Sequence, residues 1–591
     1  MKTADFPTSS PSFPTGFRSP ERTDHAQERL HTPNLTVAEA VTRLLESLSV
    51  NYAFGVPGGA IGPLWATLAA SSIQVFNFRH EAGAAFAAVE SYFASGRPVA
   101  VFATTGPGIT NALTGLFAAK WDGAKVIFLS GATTAGKRGQ WACQETSSYA
   151  MPIEGIFSSG KLFNYATTLE SGDQLTEIAR RLAIGLAQPG GFVAHLNLPT
   201  AVQVASLNTP LPKLNFAHSI AACSEEQVSE CARLLREGPF AIWVGFGARG
   251  AAAEIRGLTE STGAAVVCSP RGKGIFPENH PQFVGVTGIG GHDSVFTYMR
   301  EHTPLRTLVL GTRLSELTSF WSPVMVPSRG FIHVDIDPEV PGVAYPGAET
   351  LALHSDIGLF INALLKHFPK SSTPPTPTSL PKPERETIAP MERTPVRPEV
   401  LLDAVQSVIV EESDAIVMAD AGNTLAWANN RLRFGQSNRY RVSTGWGSMG
   451  HFSTGVVGAA LTSQRKAVVL VGDGAMLMNN EVSTAVEYQI PAVWIVLNDS
   501  SYNMCQQGMR LQGFKDMDTH IPKTDFAKLA CSLGAEGIRV ESEANLYAAL
   551  QTALVSSKPI VIDVVIDPTP IAPIGGRVKS LSAQGAKTDN V

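Results

Sequence analysis

One stretch, residues 467–504, limits what this chain can become more than any other. Residues 467–471 (AVVLV) are a short apolar, β-branched run that stops at Gly472-Asp473-Gly474, the pattern of a buried parallel strand ending in a tight loop. A helical segment follows, with Val482, Ala485, Val486 and Gln489 on one face and Pro491 as its stop. Residues 493–497 (VWIVL) then make a second buried strand, which ends at Asn498-Asp499. In a right-handed βαβ unit both strands point the same way, so Asp473 and Asp499 reach the same edge of the sheet. Two carboxylates gathered there suit a hard cation such as Mg2+, which takes few protein oxygens and keeps its other positions for phosphate and water. An Asp-Gly pair by itself is a common turn; the second acid, at the next strand end, is what adds chemistry.

The 591 residues are too many for one core and predict two to four domains. Punctuation of the chain gives three α/β units of similar size: an N-terminal one over 35–205, a central one over 220–368 and a last one over 399–570, followed by a tail over 571–591. Residues 1–34 carry five prolines and no apolar period and read as a disordered arm, with Asp5, Glu21, Asp24 and Glu28 unlike an acid-poor transit peptide. The proline-rich run within 369–398 reads as an extended linker. A net charge of -5 gives no general attraction for nucleic acid, and no apolar run of about 18 residues is there to span a membrane, so a cytoplasmic location is expected. The six cysteines form no CxxC pair and read as reduced core thiols.

In the first unit, a strand at 52–54 runs into the loop Gly55-Val56-Pro57-Gly58-Gly59-Ala60, where backbone can approach a ligand. Another strand ends at Arg79-His80-Glu81 and leads into the small-residue helix AGAAFAAVESYFA. Glu81 therefore sits where a strand meets a helix, a place the helix dipole favours for any carboxylate. A third strand ends at Thr104-Thr105-Gly106-Pro107-Gly108, and a later loop carries Cys143-Gln144-Glu145. The last unit adds Asp420-Ala421-Gly422-Asn423 and Gly445-Trp446-Gly447-Ser448-Met449-Gly450.

Taken together, Arg79-His80-Glu81, the Gly-Asp-Gly and the Asn-Asp 26 residues beyond its acid resemble the signature of thiamine diphosphate enzymes. The chain is similar to the acetohydroxyacid (acetolactate) synthase branch from about residue 35 to 570. That resemblance implies three doubly wound parallel-sheet α/β domains: pyrimidine-binding, central and diphosphate-binding. It implies thiamine diphosphate and Mg2+ as cofactors, and a homodimer or homotetramer with the site at the subunit interface. Glu81 would hydrogen-bond N1' of the pyrimidine and so favour the imino tautomer that deprotonates C2. Gln144 would lie beside the reacting carbon, with Cys143, in place of the usual Phe, lining the pocket. Gly59, Gly422, Asn423 and Gly474 would meet the cofactor, Gly447 would hold the 4'-amine through its carbonyl, and Met449 would be the wedge between the rings. The metal would take Asp473, Asp499, where the family has an amide, and the carbonyl of Ser501.

Two departures bear on function. The branch carries a non-redox FAD in its central domain, but here Val286-Thr287-Gly288 replaces Met-His-Gly, and Arg313-Leu314-Ser315-Glu316-Leu317 replaces Arg-Phe-Asp-Asp-Arg. The nearby Gly245-Phe246-Gly247 loop lacks an acidic ribose ligand about 20 residues on. FAD and a purely structural central domain both stay open. Gly508 stands where the branch has a Trp that narrows the acceptor site and selects 2-oxobutyrate, which opens room for a larger acceptor. The expected reaction is carboligation: a 2-oxo acid loses CO2 and the enamine adds to a second carbonyl, giving an acyloin or acetohydroxyacid. The alternative is a decarboxylase that releases aldehyde, but such sites often use paired histidines and this chain has no His-His. A non-catalytic scaffold is disfavoured because Glu81, Asp473 and Asp499 are all present.

Overall fold

The computed structural model describes residues 35–586, apart from residues 148, 152–153, 208–209, 215–216, 370–378, 385 and 516. The arm expected over 1–34, the start of the proline-rich linker and the end of the tail lie outside the described residues. Three six-stranded sheets follow one another along the chain, every strand pair parallel, as the doubly wound expectation required.

The N-terminal sheet holds β1 (Tyr52–Gly55), β2 (Gln74–Asn77), β3 (Val99–Ala103), β4 (Lys125–Ala132), β5 (Tyr165–Thr168) and β6 (Phe192–Pro199), in the order β2-β1-β3-β4-β6-β5. The central sheet holds β7 (Phe240–Val244), β8 (Ala265–Cys268), β9 (Phe283–Val286), β10 (Arg306–Leu310), β11 (Phe331–Asp335) and β12 (Thr350–His354), in the order β12-β11-β10-β7-β8-β9. The last holds β13 (Ile416–Ala419), β14 (Tyr440–Arg441), β15 (Ala467–Gly472), β16 (Ala492–Asn498), β17 (Glu536–Val540) and β18 (Ile560–Val565), in the order β14-β13-β15-β16-β18-β17. The first and last sheets thus share one topology. Strand order reverses between β1 and β3, between β7 and β10, and between β13 and β15, and each reversal opens a crevice at the strands' C-terminal ends where ligands bind in such folds.

Helices cover both faces of each sheet, which is why the strands read as unbroken apolar runs; Val468–Val471 and Val493–Val496 are fully buried. The first and last domains share one apolar cluster, reaching from Phe54 and Phe128 to Trp494. At its centre the Glu81–Ser95 helix lies against the His451–Ser463 helix. Small residues set that approach: a Cβ on Gly458 would stand 2.1 Å from the Ala87 carbonyl oxygen, and one on Gly455 would stand 2.7 Å from Cγ of Glu90. The small-residue helix noted in the sequence is therefore a packing surface.

Several expectations need correction. The segment after Asp473 is not one helix but two, Asp473–Met478 and Val482–Glu487, separated by Glu481 in a left-handed conformation (φ +39°), and Gln489 lies beyond both. Cys143, Cys505 and Cys531 are exposed, so only Cys231 and Cys268 are buried core thiols, with Cys223 half-buried. The described part of the linker, up to Arg397, forms no helix or strand but is fastened: Lys382 Nζ donates to the Phe283 carbonyl at 2.8 Å, Arg393 pairs with Asp567 at 2.7 Å and Arg397 with Glu543 at 2.7 Å. The stretch read as a tail contains the helix Gly575–Ala583, whose Ser580 Oγ donates to Glu316 at 2.7 Å and whose Arg577 pairs with the same carboxylate. Glu316, one of the departures noted above, thus anchors a C-terminal helix.

Candidate active site

Four loops of the N-terminal domain build one half. Glu81 is the first residue of its helix and is 8% exposed. His80 is the N-cap, its Nδ1 accepting the Ala82 N–H at 3.1 Å, so that imidazole is committed to holding the turn. Asn111 Nδ2 donates to Glu81 Oε2 at 3.1 Å. The loop after β3 lies between Glu81 and Gln144: a Cβ on Gly108 would meet Glu81 Oε1 at 3.4 Å, and one on Gly106 would meet the Gln144 carbonyl oxygen at 3.1 Å. Thr105 Oγ1 donates to Gln144 Oε1 at 3.2 Å. Gln144 and Cys143 are exposed, and Gln144 is left-handed (φ +54°). Glu145 secures that loop by accepting from Gly139 N at 2.8 Å and from the Ser147 hydroxyl. Gly59, in the loop after β1, faces open space where a Cβ would be.

The other half is built on the last sheet. Asp420, at the end of β13, is wholly buried, and its carboxylate accepts from Ala421 N (2.7 Å), Gly450 N (3.1 Å), Phe452 N and Ser453 N (both 2.9 Å). One side chain thereby ties the Gly422-Asn423 loop to the Met449-Gly450 turn and caps the helix behind it; burial pushes its carboxyl above the usual range. Gly422 (φ +125°) and Gly447 (φ +63°) both face open space. Asn423 begins its helix with a buried Oδ1 that has no partner, while its Nδ2 reaches Gln507 Oε1 at 3.4 Å. Met449 is half-buried against the shared apolar cluster.

Asp473 follows β15 directly; its Oδ1 accepts from Gly474 N at 2.7 Å, and its Oδ2 is buried without a partner. Burial raises the Asp473 carboxyl, and burial together with the neighbouring Asp473 charge pushes Asp499 up to about 7. Asn503 Nδ2 donates to Asp499 Oδ2 at 2.8 Å. Ser501 is fixed by Thr519, the two hydroxyls 3.1 Å apart and Tyr502 N donating to the Thr519 carbonyl at 2.9 Å. A Cβ on Gly474 would lie 2.6 Å from the Tyr502 ring, so a side chain there would displace that ring. Two acids close enough for one charge to raise the other, one of them with an orphaned buried oxygen, fit a divalent cation; the open glycines at 422 and 447 leave room for backbone to meet a diphosphate cofactor.

Glu81 and Gln144 are therefore gathered in one group, and Gly422, Asn423, Gly447, Met449, Gly474, Asp473, Asp499 and Ser501 lie on neighbouring strand ends in another. The helix Asn503–Leu511 crosses the second group: Gln507 Oε1 accepts from Ala572 N at 3.0 Å, and one residue on, Gly508 faces open space. Asp420 and Gln507 were not anticipated. Asp420 carried a signal, an acid at a strand end before Gly422; Gln507 carried none.

At the central reversal a cavity of about 480 Å3 is lined by Gly247, Arg271, Gly311, Arg313, Asp335 and Asp337 and reaches the other two domains at Asp122 and Thr444. Beside it Glu90, Asp122 and His451 lie close enough to hold a metal, but Arg441 binds Glu90 through two 2.8 Å bonds and Arg271 stands 3.4 Å from Asp122. Guanidinium groups supply the positive charge there. Burial alone would raise Glu90, yet Arg441 and His451 outweigh it and hold the carboxyl down at about 2.

Three doubly wound domains, with a buried acid at a strand end of the first and a pair of carboxylates at neighbouring strand ends of the last, have the layout of a diphosphate-cofactor enzyme. The comparisons agree: Thiamine pyrophosphate enzyme, N-terminal TPP binding domain matches residues 35–151, the central domain matches 229–364 and the C-terminal TPP binding domain matches 420–564. The chain belongs to the thiamine pyrophosphate (thiamine diphosphate) enzymes and is of the acetolactate synthase type. It is similar to YdaP of Bacillus subtilis (strain 168), described as thiamine pyrophosphate-containing, with 27% identity over 93% of this chain and 94% of that one. It is 28% identical to the acetolactate synthase isozyme 1 large subunit of Escherichia coli (strain K12), over 90% and 94%, and 28% identical to the acetolactate synthase of Mycobacterium bovis, over 90% and 88%. No helix among the described residues is long and apolar enough to cross a membrane.

Proposed function

We propose that this enzyme decarboxylates a 2-oxo acid and joins the remaining acyl unit to a carbonyl acceptor larger than 2-oxobutyrate. Bound thiamine diphosphate would supply the carbon nucleophile and electron sink that decarboxylation needs. The chain's own residues then have distinct tasks. Glu81, in its buried setting, holds or shares a proton at the pyrimidine N1'. Asp473, Asp499 and the Ser501 carbonyl hold Mg2+, and Gly422 and Asn423 meet the diphosphate. Gly447 and Met449 set the pyrimidine, Gly59 and Gly474 allow close backbone approach, and Gln144 and Cys143 line the acceptor side.

The observation that carries the acceptor assignment is the open space at Gly508, one residue from the Gln507 that touches Asn423. Release of aldehyde is less well supported: there is no His-His pair, and His80 is already spent as a helix cap. Incubation with pyruvate and benzaldehyde, with products separated by chromatography, tests the reading. An acyloin is expected; acetaldehyde alone would refute it. Glu81→Gln should abolish turnover while thiamine diphosphate still binds.

A homodimer is the smallest complete unit under this reading, whether or not it doubles to a tetramer. Trp141 (98% exposed) and Tyr149 (78%) flank Gln144, and Met478 (64%) and Tyr502 (47%) flank the acids, leaving apolar surface beside both halves for a second copy to cover. For the central cavity, FAD is favoured over a purely structural domain. Asp335 and Asp337 offer acceptors to ribose hydroxyls, and the unpartnered Arg271 Nε offers a donor to an anion. Flavin absorbance in the supernatant of heat-denatured protein checks this.

A further inference from the structure

Glu481 is a buried carboxylate that no step above uses. It is 4% exposed and occupies a left-handed conformation that a non-glycine residue rarely adopts (φ +39°, ψ +27°), eight residues after Asp473. Its two oxygens reach across to the N-terminal domain: Oε2 accepts from Arg79 N at 3.0 Å and Oε1 from His80 N at 3.1 Å. The Thr484 hydroxyl also donates to Oε2. These acceptors meet the N–H groups of the two residues before Glu81. The N–H after it, on Ala82, is taken by the His80 ring, so the backbone of Glu81 is pinned on both sides. Gly83 completes the fit, since a Cβ there would stand 2.4 Å from Glu481 Oε1. A strained backbone is retained where the surrounding contacts demand it, and here they demand two acceptors aimed at one turn.

We propose that Glu481 is a positioning residue for Glu81: its carboxylate holds residues 79 and 80 so that the Glu81 carboxyl keeps its alignment. The proposal rests on the reading of Glu81 as the group that meets the pyrimidine. In Glu481→Gln one amide nitrogen must face a backbone N–H that had an acceptor, so the turn is released although size is kept. Gly83→Ala leaves Glu481 intact but displaces its carboxylate, and alanine is the better helix former.

Both variants, assayed as holoenzyme with saturating thiamine diphosphate and Mg2+, are expected to lose at least tenfold in kcat with KM for the 2-oxo acid within threefold. The acid limb of the pH–kcat profile should also move, which general loosening of the fold would not cause, and the double variant should be little worse than either single one. Turnover of Glu481→Gln or Gly83→Ala within twofold of the parent, with an unmoved pH profile, overturns the proposal. Glu81→Gln separates the two failures. If it turns over normally, the reading of Glu81 falls; if it is inactive while Glu481→Gln is not, only the positioning role falls.

Discussion

Gly508→Trp should refill the acceptor pocket and invert its preference. The position lies inside the helix Asn503–Leu511, and a Cβ built there meets nothing within 4 Å, so the backbone accepts a side chain without a clash. Replacing a helical glycine removes an entropic cost, so the melting temperature should hold or rise slightly. The indole, roughly 150–250 Å2 of surface, would then occupy space next to Gln507, whose amide oxygen contacts both Asn423 and Ala572 N. A phenyl-bearing acceptor evicted from about 100 Å2 of apolar contact loses about 2–3 kcal/mol at ~25 cal/mol/Å2, or roughly 30- to 150-fold in kcat/KM. A small acceptor such as 2-oxobutyrate should lose little or gain. The assay is kcat/KM for a series of acceptors of rising size at fixed pyruvate. A folded variant whose ratio of aromatic to small acceptor changes by less than threefold would refute the assignment of Gly508 to the pocket.

Three further outcomes are expected. Co-expression of Glu81→Gln and Asp473→Asn subunits with two tags should restore about a quarter of wild-type turnover, because half the dimers are mixed and each mixed dimer has one intact site; no restoration would place the whole site within one chain. Asp499→Asn should stabilise the metal-free protein, since raising an acid from 3.8 to about 7 penalises the folded state by about 4 kcal/mol above pH 7 and by nothing below 3.8; melting in EDTA at pH 8 reads the gain, and calorimetry should find weaker Mg2+ binding. Burial lowers His195, His292 and His333 to about 4, so the folded state resists protonation that the unfolded chain accepts below 6.5. Each histidine should then cost about 2 kcal/mol at pH 5, and His195→Gln should lose less stability between pH 7 and 5 than the parent, an equal loss showing the reasoning wrong.

What the sequence made legible was whatever is local. Parallel strands buried on both faces must be apolar throughout and must stop where backbone turns, so runs such as 467–471, ending at Gly-Asp-Gly, announced both the strand and the acid beyond it. The strand ends that carry Gly422, Asp473 and Asp499 followed from that rule, whereas β2, the edge strand that leads to Glu81, is polar at both ends with Gln74 exposed. The helix periodicity around Val482 misled because apolar spacing continues across Glu481, where the backbone turns left-handed to deliver a carboxylate to residues 79 and 80. That conformation is set by partners 400 residues away in the chain, and no neighbour in the sequence records it. The same is true of the pairing of Arg441 with Glu90 and of the near-contact of Gly458 with Ala87, which join the first domain to the last. Glycine and alanine runs have low information as sequence, yet at a helix crossing they fix how closely two domains approach, and hence how the turn before Glu81 meets Glu481. Motif residues state which chemistry is available; the residues that aim them are written only in the packing.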